Sequence, residues 1–180
     1  MVTLENEDVS NQQQTLTESL LSDFITEYKI LGLYSIAEDM LNKLHLIDNE
    51  VLSKSDRLYF VIQTAFLGEK RLFAIPFRTN IPKNHYHYIA IPKMAGSGKT
   101  RKGCTHGLHI AKTIPVTKKA LLKSPYSKAY KPLMKDGTFT GCVSEILNWI
   151  SQFEGNEVDV NYTPFYYSVK LKNLVKAVNS

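Results

Sequence analysis

The stretch Leu72-Phe73-Ala74-Ile75-Pro76-Phe77-Arg78-Thr79-Asn80-Ile81 joins an apolar, aromatic run to a polar one. Arg71 to Phe77 reads as a β-strand, with Pro76 marking its end or an edge of the sheet. The strand before it is equally legible. Leu58 to Phe66 is rich in β-branched and aromatic residues, and Leu67-Gly68-Glu69-Lys70 reads as the hairpin turn between the two. Further along, Tyr86 to Ile91 alternates as a third strand and Leu108 to Val116 as a fourth. Pro92 to Gly107 separates them as a long Gly/Lys loop.

Helical patterns flank these strands. Leu16, Leu20, Leu21, Phe24, Ile25 and Tyr28 fall at helical spacing, and Ile36, Met40, Leu41 and Leu44 form a second stripe beyond Gly32. Cys142 to Phe153 reads as a helix around Trp149, and Thr163-Pro164 as the cap and first turn of a last one. The expectation is an α+β fold, a small antiparallel SH3-like barrel or twisted sheet with flanking helices. Residues 1–14 read as a disordered acidic tail, 15–48 as an acidic helical N-terminal extension, and 49–180 as one basic domain.

A chain of 180 residues with 43% hydrophobic and 22% charged content can bury a core without disulfides or metal, which excludes wholesale disorder. Two cysteines make no disulfide framework, and no apolar run is long enough to span a bilayer. The segment carries no secretory signal pattern, and a cytoplasmic protein with reduced thiols is expected.

The charges are segregated. Residues 1–56 hold 11 acids against 3 bases, whereas 70–135 hold 15 Lys/Arg, four histidines and no acid. A solvated surface normally mixes signs; a one-signed surface suits a polyanion, through counterion release and steering. Nucleic acid is therefore the expected partner, and a membrane is not, because no Lys-rich amphipathic helix is present. The acidic segment is expected to solubilise the chain or to compete with RNA for the basic surface.

Two motifs resemble sites and fail on spacing. Gly96-Ser97-Gly98-Lys99-Thr100 has Lys93 where a nucleotide-binding loop needs glycine, and Pro92 where it needs a buried strand. It reads better as a basic loop against a phosphodiester backbone. Cys104, His106 and His109 lack a fourth ligand for a structural metal site, so no metal and no cofactor are expected.

Chemistry without local carboxylates must run on Arg, Lys, His, Ser/Thr and Tyr. RNA cleavage by the substrate's own 2′-hydroxyl needs only such groups: a proton acceptor, a proton donor, and cations or hydroxyls for the charge developing on phosphorus. Arg78-Thr79-Asn80-Ile81-Pro82-Lys83-Asn84-His85 offers them directly after a strand end. His85, His106 and Lys83 all qualify as proton carriers. A non-catalytic RNA- or DNA-binding protein using the same basic sheet is the alternative.

The order and spacing of Glu50-Val51-Leu52-Ser53-Lys54 with Arg57-Leu58-Tyr59, then Leu72 to Ile81, then Gly107-Leu108-His109-Ile110-Ala111-Lys112 resemble the endoribonuclease toxins of type III toxin–antitoxin systems. The likeness is to the ToxN/AbiQ group, especially its TenpN/CptN-like branch, which usually has Asp where His109 stands. It implies a Kid/MazF-like barrel and metal-independent cleavage of single-stranded RNA. It also implies a role in phage defence and inhibition by a structured, repeat-derived antitoxin RNA of the kind that can form pseudoknots, within a protein–RNA hetero-oligomer. On this likeness Thr79 sits at the scissile phosphate, with Arg78 and Lys112 neutralising charge and Lys83 and His85 nearby. Arg57, Lys99, Arg101, Lys102, His106, Lys118 and Lys119 are the expected RNA contacts. Tyr59 and the Tyr86/Tyr88 pair are candidates to stack bases.

Overall fold

The computed structural model describes residues 27–85, 87–93, 99–155 and 168–179. The expected tail 1–14, the helical stripe from Leu16 to Ile25, Tyr86, the Gly96-Ser97-Gly98 segment and the Thr163-Pro164 cap lie outside them.

Seven strands form one antiparallel sheet: β1 (Tyr28–Ile36), β2 (Tyr59–Phe66), β3 (Glu69–Pro82), β4 (Tyr88–Ala90), β5 (Cys104–His109), β6 (Ile114–Val116) and β7 (Leu121–Lys123). Among the described residues four helices accompany them: α1 (Glu38–Ile47), α2 (Lys131–Lys135), α3 (Thr138–Ser151) and α4 (Leu171–Asn179). The β2–β3 hairpin is built as its residue types require. Phe66 pairs Glu69 across the two-residue turn Leu67-Gly68, both at positive φ (51° and 78°). That geometry matches the right-handed twist of the strands, and Gly68 adopts it without strain.

β2 and the first part of β3 alternate between the two faces, and helices cover both. Phe60, Ile62, Phe73, Ile75 and Phe77 meet Phe139, Val143, Ile146, Trp149 and Ile150 of α3. Tyr59, Val61 and Ala74 meet Met40, Leu41 and Leu44 of α1. α4 belongs to both layers, with Leu171 and Val175 in the first and Leu174 in the second. Burying a side chain of this size contributes about 1.5–3 kcal/mol, so these two layers dominate the stability.

The sheet order is β4-β5-β3-β2-β1-β7, with β6 also on β3, and among the described residues it is open rather than closed as a barrel. β3 is the strand most widely shared. Its 14 residues pair with β2 along one edge, while β6 and then β5 share the other. β6 takes Leu72 to Ala74 and β5 takes Phe77 to Pro82, so the expected strand Leu108–Val116 is two short strands joined by the 3-10 turn Ile110–Lys112.

Pro76 explains the break, and it stands inside β3 rather than at its end. Phe77 donates its N–H to the Leu58 carbonyl at 2.9 Å, so the nitrogen of Pro76 faces the opposite edge. A strand there would find no donor. The partner chain lifts away instead, and its backbone finds other partners: Ala111 N–H donates to the His87 carbonyl at 3.2 Å, and Val169 N–H to the Ala111 carbonyl at 3.0 Å.

The N-terminal boundary also changes. Residues 28–36 are a strand paired with β2 and β7, so this part of the expected helical extension is an interior strand of the sheet. Ile30 packs in the α3 layer and Tyr34 and Ile36 in the α1 layer, because Gly32 sits at a bulge with φ 126° that shifts the register between them, instead of separating two helices. The second predicted stripe is α1. Deleting residues 1–48 would remove a strand and a helix of the core together with the acidic charge.

Gly107 is enclosed by strands on both sides, pairing Arg78 of β3 and Ala90 of β4. A Cβ there would fall onto the Ile89 carbonyl oxygen. Gly107→Ala is expected to destabilise the protein by about 1–3 kcal/mol and to raise hydrogen exchange first at β4. An unchanged melting temperature with unchanged exchange at Tyr88–Ala90 would contradict this packing.

Candidate active site

The gap opposite Pro76 collects charged side chains on the sheet face that also carries α1. Arg78 lies two residues beyond Pro76 and therefore on the same face. Its register partner is Gly107, and His109, two residues further along β5, lies on the same face. Arg78 Nη1 and His109 Nδ1 are 2.9 Å apart. The 3-10 turn brings in Lys112, which is buried and whose Nζ donates to Glu50 Oε2.

Glu50 reaches the site from the loop after α1, and Asp48 sets that loop. The buried Asp48 carboxylate accepts from the N–H of Glu50 at 3.0 Å and of Lys170 at 2.6 Å. The second bond places a negative charge at the start of α4, where the helix dipole favours it. On the other side, Arg57 Nη1 donates to the Phe77 carbonyl at 3.1 Å. His85 sits in the turn after β3, its N–H bonded to the Pro82 carbonyl at 2.9 Å and its ring centroid 5.5 Å from that of His109.

Burial and crowding of like charges shape the protonation of this cluster. Burial, then Arg57, lowers the Arg78 pKa from the ordinary guanidinium value. Burial also lowers that of Lys112, against the pull of Glu50. His85 is lowered by burial and by Arg78 and Lys112, which favours the neutral imidazole at neutral pH. His109 is fully buried, and burial together with Arg78, Lys112, His85 and Arg57 brings its pKa down to about 2.

Four expected residues thus meet: Arg57, Arg78, His85 and Lys112. Thr79 stands next to Arg78 at the bulge between Arg78 and Ile81, its hydroxyl accepting from Asn80 Nδ2 at 3.4 Å. Asn80 Oδ1 in turn accepts from Arg101 N–H at 2.7 Å, tying the exposed basic loop of Lys99, Arg101 and Lys102 to this bulge. Lys83 is exposed on the turn before His85. Lys118 and Lys119 are exposed beyond β6, at the other end of β3, and do not join the cluster.

Two expected contacts are buried. Tyr59 is 1% exposed in the α1 layer and donates its hydroxyl proton to the Leu52 carbonyl, so its ring offers no face to a base. His106 packs in the opposite layer, its Nε2 3.0 Å from the Tyr130 hydroxyl. It is on the other face from His109, as alternation along β5 demands. Among the described residues no three of His, Cys, Asp and Glu gather as a metal site.

Glu50 and His109 are the members that the chemical reading of the sequence left out. Glu50 lies outside the acid-free stretch, and His109 reads in the sequence as part of an incomplete metal set with Cys104 and His106. The spacing Gly107-x-His109 opposite Arg78 carries the signal, but only once the register is known.

No family model matches the sequence, and no curated protein matches it. Its fold does have solved counterparts. One is a toxin of a bacterial type III toxin–antitoxin system, selectively inhibited by a non-coding RNA pseudoknot. It superposes with a TM-score of 0.54 at 12% identity, covering 82% of this chain and 95% of its own. Another is AbiQ, a lactococcal anti-phage endoribonuclease of the type III class, with a TM-score of 0.54 at 13% identity and the same coverage. The chain shares the fold of these toxins. Among the described residues no helix is long and apolar enough to cross a membrane.

The low His109 pKa has a consequence for stability. The unfolded side chain takes up a proton near its ordinary 6.5, the folded one only near 2. The unfolded state therefore binds more protons in between, and stability is complete above the first value and falls as pH drops toward the second. The melting temperature is expected to fall between about pH 7.5 and 5, and less steeply in His109→Asn. Identical slopes in the two proteins would contradict a buried neutral His109.

Proposed function

We propose that this protein is an endoribonuclease toxin that cleaves single-stranded RNA through the substrate's own 2′-hydroxyl, without a metal ion, and is held inactive by a structured cognate RNA. The observation that carries this reading is the convergence of Arg57, Arg78, His85, His109 and Lys112 at the broken edge of β3. The fold shared with two type III toxins supports it.

The chemistry suits these groups. Arg78 and Lys112 bind the non-bridging oxygens of the scissile phosphate, and the Thr79 hydroxyl donates beside them. His85, neutral and half-buried, accepts the 2′-hydroxyl proton as the 2′-oxygen bonds to phosphorus. The phosphorus–O5′ bond breaks, and O5′ takes a proton from Lys112, whose lowered pKa makes it the better acid. Among His85, His106 and Lys83 we assign the proton-accepting role to His85, whose ring lies beside that of His109. His106 is buried on the other face, and Lys83 is exposed on the adjoining turn. The basic loop of Lys99, Arg101 and Lys102 tracks the RNA backbone beside the bulge.

Kinetics on RNA in EDTA test the assignment. Arg78→Ala, Lys112→Ala and His85→Ala are each expected to lower kcat by about 10²–10³-fold while much of the RNA affinity survives. Thr79→Ala is expected to act in the same direction. RNA left uncut by the wild-type protein but bound, with every variant only weakening binding, would favour the non-catalytic nucleic-acid-binding protein.

A further inference from the structure

The Arg78–His109 pair fixes more than a distance. A guanidinium has donors and no acceptor, so at 2.9 Å His109 Nδ1 must accept and carries no proton. The single ring proton then lies on Nε2. Among the described residues nothing hydrogen-bonds to that buried Nε2, and the Arg78 contact sets the tautomer. The groups around the ring are Arg78, Lys112, His85 and Arg57, all of which oppose a second proton. Glu50 is the carboxylate that the cluster contains among the described residues, and Lys112 holds it.

A neutral acceptor differs physically from the usual partner of an arginine. A carboxylate at this distance orients the guanidinium and cancels its charge together. A neutral imidazole orients it and cancels nothing. His109 is also fully buried, so the acceptor cannot swing away when a phosphate arrives. The geometry points to His109 as a positioning residue: in its Nε2–H form it orients the Arg78 guanidinium and leaves the full cationic charge for an RNA phosphate. This inference rests on the ribonuclease reading above.

Three variants of the full chain, each checked for a wild-type-like thermal transition, separate the possibilities. His109→Asn retains an acceptor, Oδ1, at the place of Nδ1 and adds no charge. It is expected to keep kcat within about threefold of wild type. His109→Phe keeps the ring but no acceptor, and kcat is expected to fall by about 100-fold with KM little changed, the signature of a misplaced catalytic cation. His109→Asp keeps an acceptor and adds the charge. The salt dependence of its RNA affinity is expected to lose about one phosphate contact.

Nitrogen NMR of the His109 ring reads the tautomer directly, independent of activity and of any folding defect in a variant. A protonated Nε2 with a bare Nδ1 is expected, and the reverse would overturn the proposal. So would wild-type kcat in His109→Phe, equal losses in Asn and Phe, or an unchanged salt slope in Asp. Wild-type protein that leaves RNA intact would instead overturn the ribonuclease reading, and the positioning role in catalysis with it. The two failures are thereby distinguished.

Discussion

A single missing N–H organises the centre of this molecule. Pro76 lies in a strand with partners on both sides, and its nitrogen faces the edge that β5 and β6 would otherwise occupy as one strand. A central strand normally excludes proline for this reason. Here the neighbouring chain leaves the sheet for the length of one 3-10 turn and returns. The detour carries Lys112 out of the ladder and into the space beside Arg78. The same break divides one edge of β3 between two strands.

The resulting site is costly to assemble. Arginine, lysine and two histidines are brought together in a partly buried space, where burial and mutual repulsion both disfavour charge. The fold offsets that cost in two ways. Lys112 keeps a carboxylate, delivered by a loop that Asp48 ties to α4. Arg78 keeps a neutral acceptor instead. The fold is therefore stable only while His109 is uncharged. On the proposed function, that same neutral ring is what positions Arg78.

Much of the architecture was legible in the residues. β2, the Leu67-Gly68 turn, the first part of β3, α1 and α3 follow from periodicity and turn chemistry. β1 was misread because Tyr28 to Ile36 carries apolar residues that fit either period, and only pairing with β2 decides between them. Pro76 read as an edge because sequence does not reveal which edge its nitrogen faces. In the site, Arg78 and His85 are legible as a cation and a histidine after a strand end, whereas Arg57 and Lys112 enter through the family resemblance. Glu50 and His109 were not legible, since their partners stand 62 and 31 residues away. Tyr59 looked like a base-stacking residue and is core, because aromatic side chains serve both uses equally well.

The central claim is that this cationic cluster cleaves RNA through the RNA's own 2′-hydroxyl. The most direct measurement is the terminal chemistry of fragments produced from end-labelled single-stranded RNA by purified, RNA-free protein in EDTA. The account predicts discrete fragments ending in a 2′,3′-cyclic phosphate, and no cleavage when the same sequence carries 2′-deoxy sugars. Fragments ending in a 3′-hydroxyl, or equal cleavage of the deoxy strand, would contradict it.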